Sequence, residues 1–200
     1  MRTSLVVSNS AIYGPGLRTV IWTQGCSIRC PGCWNDKLWD FKGGSENTVE
    51  ELVKKALQSG DSGITLLGGE PLDQPVATRK LIEACHEQGL DIMLYTGFEE
   101  SELNKCQLDC VKSADIVVIG RYVDELRSEH LLWRGSSNQR IIWNMEIPQN
   151  LNLADRRQVE IRFDNTGKVN ILGYPSESML AKFTSRFGTL KSFSKESGDV

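Results

Sequence analysis

Short apolar runs rich in β-branched residues alternate with stretches whose apolar positions recur every three or four residues. Arg18–Thr23 (RTVIWT), Gly63–Leu67 (GITLL), Asp91–Tyr95 (DIMLY) and Asp115–Ile119 (DIVVI) are each expected to form a strand. Val49, Leu52, Val53, Ala56 and Leu57 fall at helical spacing behind Thr48-Val49-Glu50-Glu51, a capping box that opens a helix through about Ser59. A second helix is expected over 74–88, with Gly89 as its C′ stop, and a third over 99–110. Past Ile119 the pattern weakens. Residues 158–163 and 168–172 are expected to form two strands joined through Asp164-Asn165-Thr166-Gly167, and the polar end from 192 to 200 to be a disordered tail.

This alternation predicts an α/β fold with a mainly parallel sheet. A βαβ unit takes roughly 30 residues. A closed eightfold barrel typically needs about 250. The 200 residues are therefore expected to form a single domain over 1–200, an incomplete (β/α) barrel of about five or six units with a C-terminal hairpin. In such folds the loops at the strand C-terminal ends build the site. A cysteine-rich loop after Thr23, Gly68-Gly69-Glu70-Pro71 after Leu67, Thr96-Gly97 after Tyr95 and Gly120-Arg121 after Ile119 all fall there. That co-location is not built into the strand assignment and points to one shared site.

Composition is ordinary for a globular chain, 40% apolar and 24% charged. A formal net charge of -3 offers no basic footprint for nucleic acid. No apolar run is long enough for a bilayer, and the apolar stretch near the start is too short for a signal peptide. A cytoplasmic protein without membrane or nucleic-acid partners is expected. Its six cysteines then read as thiols or metal ligands, not disulfides. His86 and His130 stand far apart in sequence, which argues against a histidine-rich metal site.

Cys26, Cys30 and Cys33 are separated by three and two intervening residues, in Gly25-Cys-Ser-Ile-Arg-Cys-Pro-Gly-Cys-Trp-Asn35. Soft thiolates select iron–sulfur clusters, zinc or copper(I). Structural zinc and electron-transfer [4Fe–4S] clusters both want four ligands, and no fourth Cys or His is near. Three ligands would leave one iron open to a substrate or cofactor. A zinc loop completed by a distant residue and three unliganded thiols remain alternatives at this point. Cys106 and Cys110 share a helix face if that segment is helical, but no compact third or fourth ligand accompanies them, and Cys85 lies on an apolar helix face with Leu81 and Ile82, so a second cluster is not expected.

Cys-x3-Cys-x2-Cys followed by an aromatic residue resembles the signature of the radical S-adenosylmethionine superfamily. The resemblance implies one [4Fe–4S] cluster on Cys26, Cys30 and Cys33, with S-adenosyl-L-methionine chelating the open iron and cleaved to a 5′-deoxyadenosyl radical. It places Gly32, Cys33, Trp34, Gly68, Gly69, Glu70, Pro71, Thr96, Gly97 and Arg121 around the cofactor, and requires no catalytic acid or base. The glycine pair is expected to permit close approach of the cofactor's amino end. Gly14-Pro15-Gly16, Thr23-Gln24-Gly25-Cys26, Cys33-Trp34-Asn35, Tyr95-Thr96-Gly97 and Arg134-Gly-Ser-Ser-Asn-Gln-Arg140 further resemble the anaerobic ribonucleotide reductase activating proteins, a glycyl-radical activase subgroup. That implies a glycyl-radical enzyme such as anaerobic ribonucleotide reductase as partner and flavodoxin or ferredoxin as reductant. Tyr13 and Ile119 depart from the subgroup's pattern, and the stretch after Arg140 resembles it less. The alternatives are a free-standing radical enzyme modifying a small molecule or peptide, and a non-enzymatic metal-binding scaffold.

Overall fold

The computed structural model describes residues 1–128, 130–147, 151, 158–163, 169–173 and 175–187. Strands β1 (Arg2–Ser10), β2 (Arg18–Thr23), β3 (Ser45–Glu46), β4 (Gly63–Gly68), β5 (Asp91–Thr96), β6 (Ile116–Ile119) and β7 (Arg140–Trp143) form one sheet, in the order β3-β1-β2-β4-β5-β6-β7. Its centre, β2-β4-β5-β6, is parallel, with helices α1 (Val49–Ser59), α2 (Pro75–Glu87) and α3 (Lys105–Ser113) in the connections. The fold is mixed α/β with a parallel centre.

The expected five or six units are not reached among the described residues, which hold four parallel strands flanked by antiparallel β1 and β7. The physical reason lies in the connections. A parallel return needs a crossover of a dozen or more residues, usually a helix. Between Ile119 and Arg140 the described residues hold a 3-10 turn, Asp124–Leu126, in place of a crossover helix, and the chain comes back antiparallel.

Side-chain alternation along the buried strands divides the sheet into two faces. Ile21, Ile64, Leu66, Ile92, Leu94, Val117 and Ile119 pack with Leu52, Ala56, Leu81, Ile82 and Val111 from the helices. The opposite face carries Val20, Trp22 and Leu67 in one apolar cluster and Met93, Ile116 and Val118 in another. Helix ends follow local chemistry. Thr48 Oγ1 accepts from Glu51 N–H at 3.1 Å while Glu51 Oε2 accepts from Thr48 N–H at 2.8 Å. Gly89, at φ +70°, closes α2 with its N–H on His86 O. The helix expected over 99–110 is instead a 3-10 turn, Glu100–Glu102, followed by α3. Asn104 and Gln107 form a second capping box that restarts the helix.

Strands β8 (Val159–Phe163) and β9 (Val169–Gly173) pair antiparallel, and α4 (Glu177–Phe187) follows. The expected Asp164–Gly167 turn and the tail from 192 lie outside the described residues. The pair docks on β1: Arg162 donates to Ser8 O and Asn9 O at 2.7 and 2.8 Å, and Ser10 Oγ donates to Glu160 at 2.7 Å. Leu172, 3% exposed, enters the apolar cluster with Val20, Trp22 and Leu67.

Arg18 is fully buried near the strand N-termini, at the end away from the candidate site. Its guanidinium donates to Thr65 Oγ1 at 2.7 Å and Ile64 O at 2.8 Å, and pairs with Asp91 Oδ1 at 2.6 Å, tying β2, β4 and β5 together. Arg18→Met should lower unfolding free energy by about 3 kcal/mol, because it strands buried acceptors and a carboxylate. Urea denaturation checks this: the midpoint falls while the slope stays unchanged.

Candidate functional site

The cysteine loop leaves β2 at Thr23 and is closed by backbone pairing. Gly25 N–H donates to Leu38 O at 2.8 Å and Cys26 N–H to Trp39 O at 3.3 Å. Asp73, in a 3-10 turn after β4, receives Ser27 N–H at 2.6 Å and Ser27 Oγ at 2.7 Å. The loop after β4 docks against it, with Gly69 N–H on Thr23 O at 2.8 Å and Glu70 N–H on Gly25 O at 2.9 Å. A Cβ on Gly69 would lie 2.2 Å from Gly25 O, and one on Gly68 (φ +103°) 2.6 Å from Trp22 Cα. The glycine pair thus lets the two loops close on each other, backbone to backbone.

Glu70 is 2% exposed. It accepts from Leu72 N–H at 2.8 Å, Thr96 Oγ1 at 2.9 Å and Gly97 N–H at 2.9 Å, bracketing the loops after β4 and β5. Burial pushes its carboxyl up to about 7 against the pull of those donors.

A cavity of about 190 Å³ opens where these loops meet. Of the residues expected at the site, Cys26, Cys30, Cys33, Trp34, Gly68, Gly69, Glu70, Thr96 and Gly97 line it. Gly32, Pro71 and Arg121 do not. Gly32 (φ +70°) turns the loop against Asp124, and Pro71 is buried at the start of the 3-10 turn. Arg121 pairs with Glu102 at 2.5 Å. Burial pushes the Cys26 thiol up to about 11 and also raises Cys33. Thiolates there need a neighbouring cation, which iron would supply on ligation. The Trp39 indole Nε1 is buried without a hydrogen-bond partner beside this cavity, a donor that an anionic cluster sulfur would satisfy. Among the described residues, no three Cys, His, Asp or Glu side chains crowd together as ligands of one metal ion do. Thiolates of a cubane each meet a different iron, so they stand wider apart. The residues fit the cluster.

Residues 12–142 match the family described as 4Fe-4S single cluster domain. The chain belongs to that family. It is 35% identical over 137 residues to the anaerobic ribonucleoside-triphosphate reductase-activating protein of Salmonella typhi, covering 64% of this chain and 89% of that protein. The protein of the same name from Enterobacteria phage T4 is 33% identical over 142 residues, covering 68% and 89%. The pyruvate formate-lyase-activating enzyme of Clostridium pasteurianum is 34% identical over 134 residues, covering 62% and 54%. The crystal structure of QueE from Escherichia coli gives a TM-score of 0.37 at 14% identity, over 48% of this chain and 51% of that one, too loose a likeness to argue from. The chain is thus a radical S-adenosylmethionine oxidoreductase of the glycyl-radical-activating type, with a [4Fe–4S] cluster and S-adenosylmethionine as cofactors. No helix among the described residues is long and apolar enough to cross a membrane.

Within this 4Fe-4S single cluster domain, the Ser-Ser-Asn-Gln run braces its own loop. Gln139 donates to Gly120 O at 2.9 Å and accepts from Gly135 N–H at 2.7 Å. Asn138 donates to Arg121 O at 2.8 Å, and Ser136 Oγ receives Val123 N–H at 3.2 Å. So braced, the loop presents Leu131, Leu132, Trp133 and Arg134 to the cavity. None of the four was expected at the site, because the apolar residues Leu131, Leu132 and Trp133 carry no period in an irregular loop. Tyr13 also lines the cavity, stacked edge-on against Trp22 at 5.3 Å, and accepts Gly173 N–H from β9 at 2.7 Å. The other departure, Ile119, is a core residue on the helix face. Cys85 and Cys110 are buried in the helix-side core, where burial pushes their thiols up to about 12 and about 11.

Gly69→Ala should reduce iron loading on reconstitution several-fold, since backbone on both sides of the contact cannot yield; iron content per chain checks this. Glu70 gives a pH signature. Its folded pKa of about 7 lies above the ordinary 4.5, so the folded chain holds the extra proton between these values. Stability therefore falls as pH rises from about 4.5 to about 7, and is level beyond. Urea titrations at pH 5 and 7.5 should show a smaller drop in Glu70→Gln than in the native chain.

Proposed function

We propose that this chain generates a glycyl radical on an anaerobic ribonucleotide reductase in the cytoplasm, with flavodoxin or ferredoxin as electron donor. Cys26, Cys30 and Cys33 hold one [4Fe–4S] cluster and leave one iron to S-adenosylmethionine. The observation that carries this reading is the convergence of those thiols with the loop edges Gly68-Gly69 and Thr96-Gly97 in one cavity. The relatives named as activating proteins of this reductase support the partner. They weigh against a free-standing enzyme and against a non-enzymatic scaffold.

When bound, the cluster supplies the electron that cleaves the sulfonium of S-adenosylmethionine and releases a 5′-deoxyadenosyl radical. The chain's residues hold the geometry. The edges at Gly68-Gly69 and Thr96-Gly97 receive the methionine end of the cofactor. Glu70 acts from beneath by fixing those edges to each other. Trp34, covered by Arg127 at 5.3 Å, borders the adenine. Gly32, Pro71 and Arg121 shape these loops from behind. Trp22, Tyr95 and Leu132 give the cavity an apolar wall that keeps water from the radical. Hydrogen abstraction needs no acid or base, and none is assigned.

Anaerobic reconstitution, then reduction with S-adenosylmethionine and the reductase present, should yield 5′-deoxyadenosine and a glycyl-radical signal from the native chain. Cys33→Ala should yield neither, a loss of at least a hundredfold. A fully loaded, reducible native chain that forms no 5′-deoxyadenosine with the reductase would overturn the reading.

A further inference from the structure

Trp39 ends the 3-10 turn Asp36–Trp39 that closes the cysteine loop. Its position is fixed on both sides. Cys26 N–H donates to its carbonyl, its neighbour Leu38 is 2% exposed in the core, and Gln24 Nε2 donates to Asp40 O at 2.6 Å. The ring lines the cavity, and its Nε1 is buried with no hydrogen-bond partner. Buried indole N–H groups almost always find an acceptor. Cys33 lines the same cavity as this ring. A neutral thiol is a weak acceptor; an iron-bound thiolate is a strong, anionic one.

We propose that the Trp39 indole N–H is a positioning donor to the cluster, hydrogen-bonding the Cys33 sulfur when that sulfur ligates iron and thereby raising the cluster's reduction potential. This rests on the reading of Cys33 as a ligand. Reduction adds negative charge that spreads onto the sulfurs, and a donor aimed at one of them stabilises the reduced state more than the oxidised state. Rigid anchoring of Trp39 means that little ordering is needed to make the bond.

The test uses the native chain, Trp39→Phe, which keeps a ring and removes the N–H, and Trp39→His, which keeps a ring donor. Each is reconstituted anaerobically and its iron counted. The potential is then titrated by electron paramagnetic resonance, and the reduced cluster is examined for coupling to exchangeable deuterons after transfer to D2O. The native chain should show a coupled deuteron. Trp39→Phe should lose it and titrate at a more negative potential, with Trp39→His in between. Absence of a coupled deuteron in the native chain would overturn the proposal even if a variant failed to fold. An unchanged potential in a fully loaded Trp39→Phe chain would do the same. Formation of 5′-deoxyadenosine is followed in parallel: normal formation with an unchanged potential defeats this inference alone. A shifted potential without 5′-deoxyadenosine formation from the native chain defeats the function reading and leaves this one standing.

Discussion

Two backbone hydrogen bonds hold the loop after β2 against the loop after β4: Gly69 N–H to Thr23 O and Glu70 N–H to Gly25 O. Parallel pairing of β2 with β4, in register from Arg18↔Gly63 to Thr23↔Gly68, delivers the partners to this seam. The approach is close enough that Gly69 has no room for a Cβ. With the seam made, the carboxylate of Asp73 reaches Ser27 and that of Glu70 reaches Thr96 and Gly97. Three loops from three strands become one wall, and the cysteines stand on it. The opposite end of the same strands is clamped by Arg18.

Much of this was legible in the sequence where one local rule acts alone. The strands β2, β4, β5 and β6 are apolar runs buried on both faces, and α1 and α2 carry an apolar stripe with recognisable stops. The loops that bring the cavity together follow from those strands by topology. Partner-dependent elements were not legible. β1 has only Leu5-Val6-Val7 among polar residues, and it is a strand because β2 offers it an edge. The break between the 3-10 turn at Glu100 and α3 comes from two successive capping boxes, Glu99 with Glu102 and Asn104 with Gln107, each of which starts its own turn. The hydrogen bonds of Glu70 were not legible for a related reason. Its three donors come from residues near and far in sequence that only the fold assembles.

Residues beyond the family match also reach the cavity. Gln158 and Gly173, at the ends of β8 and β9, form part of its lining, and Tyr13 connects them to it through Gly173 N–H. Tyr13 lies inside the match and β9 outside it, so this one contact joins the matched segment to the strands beyond it.

The central claim is that Cys26, Cys30 and Cys33 hold a single four-iron cluster with one iron left open. Mössbauer spectroscopy of the chain reconstituted with 57Fe, before and after adding S-adenosylmethionine, tests it most directly. The account predicts about four irons per chain, with the signal of one iron in four shifting when the cofactor is added and the rest unchanged. A spectrum in which no iron responds, or a chain that takes up zinc and no iron, would contradict it.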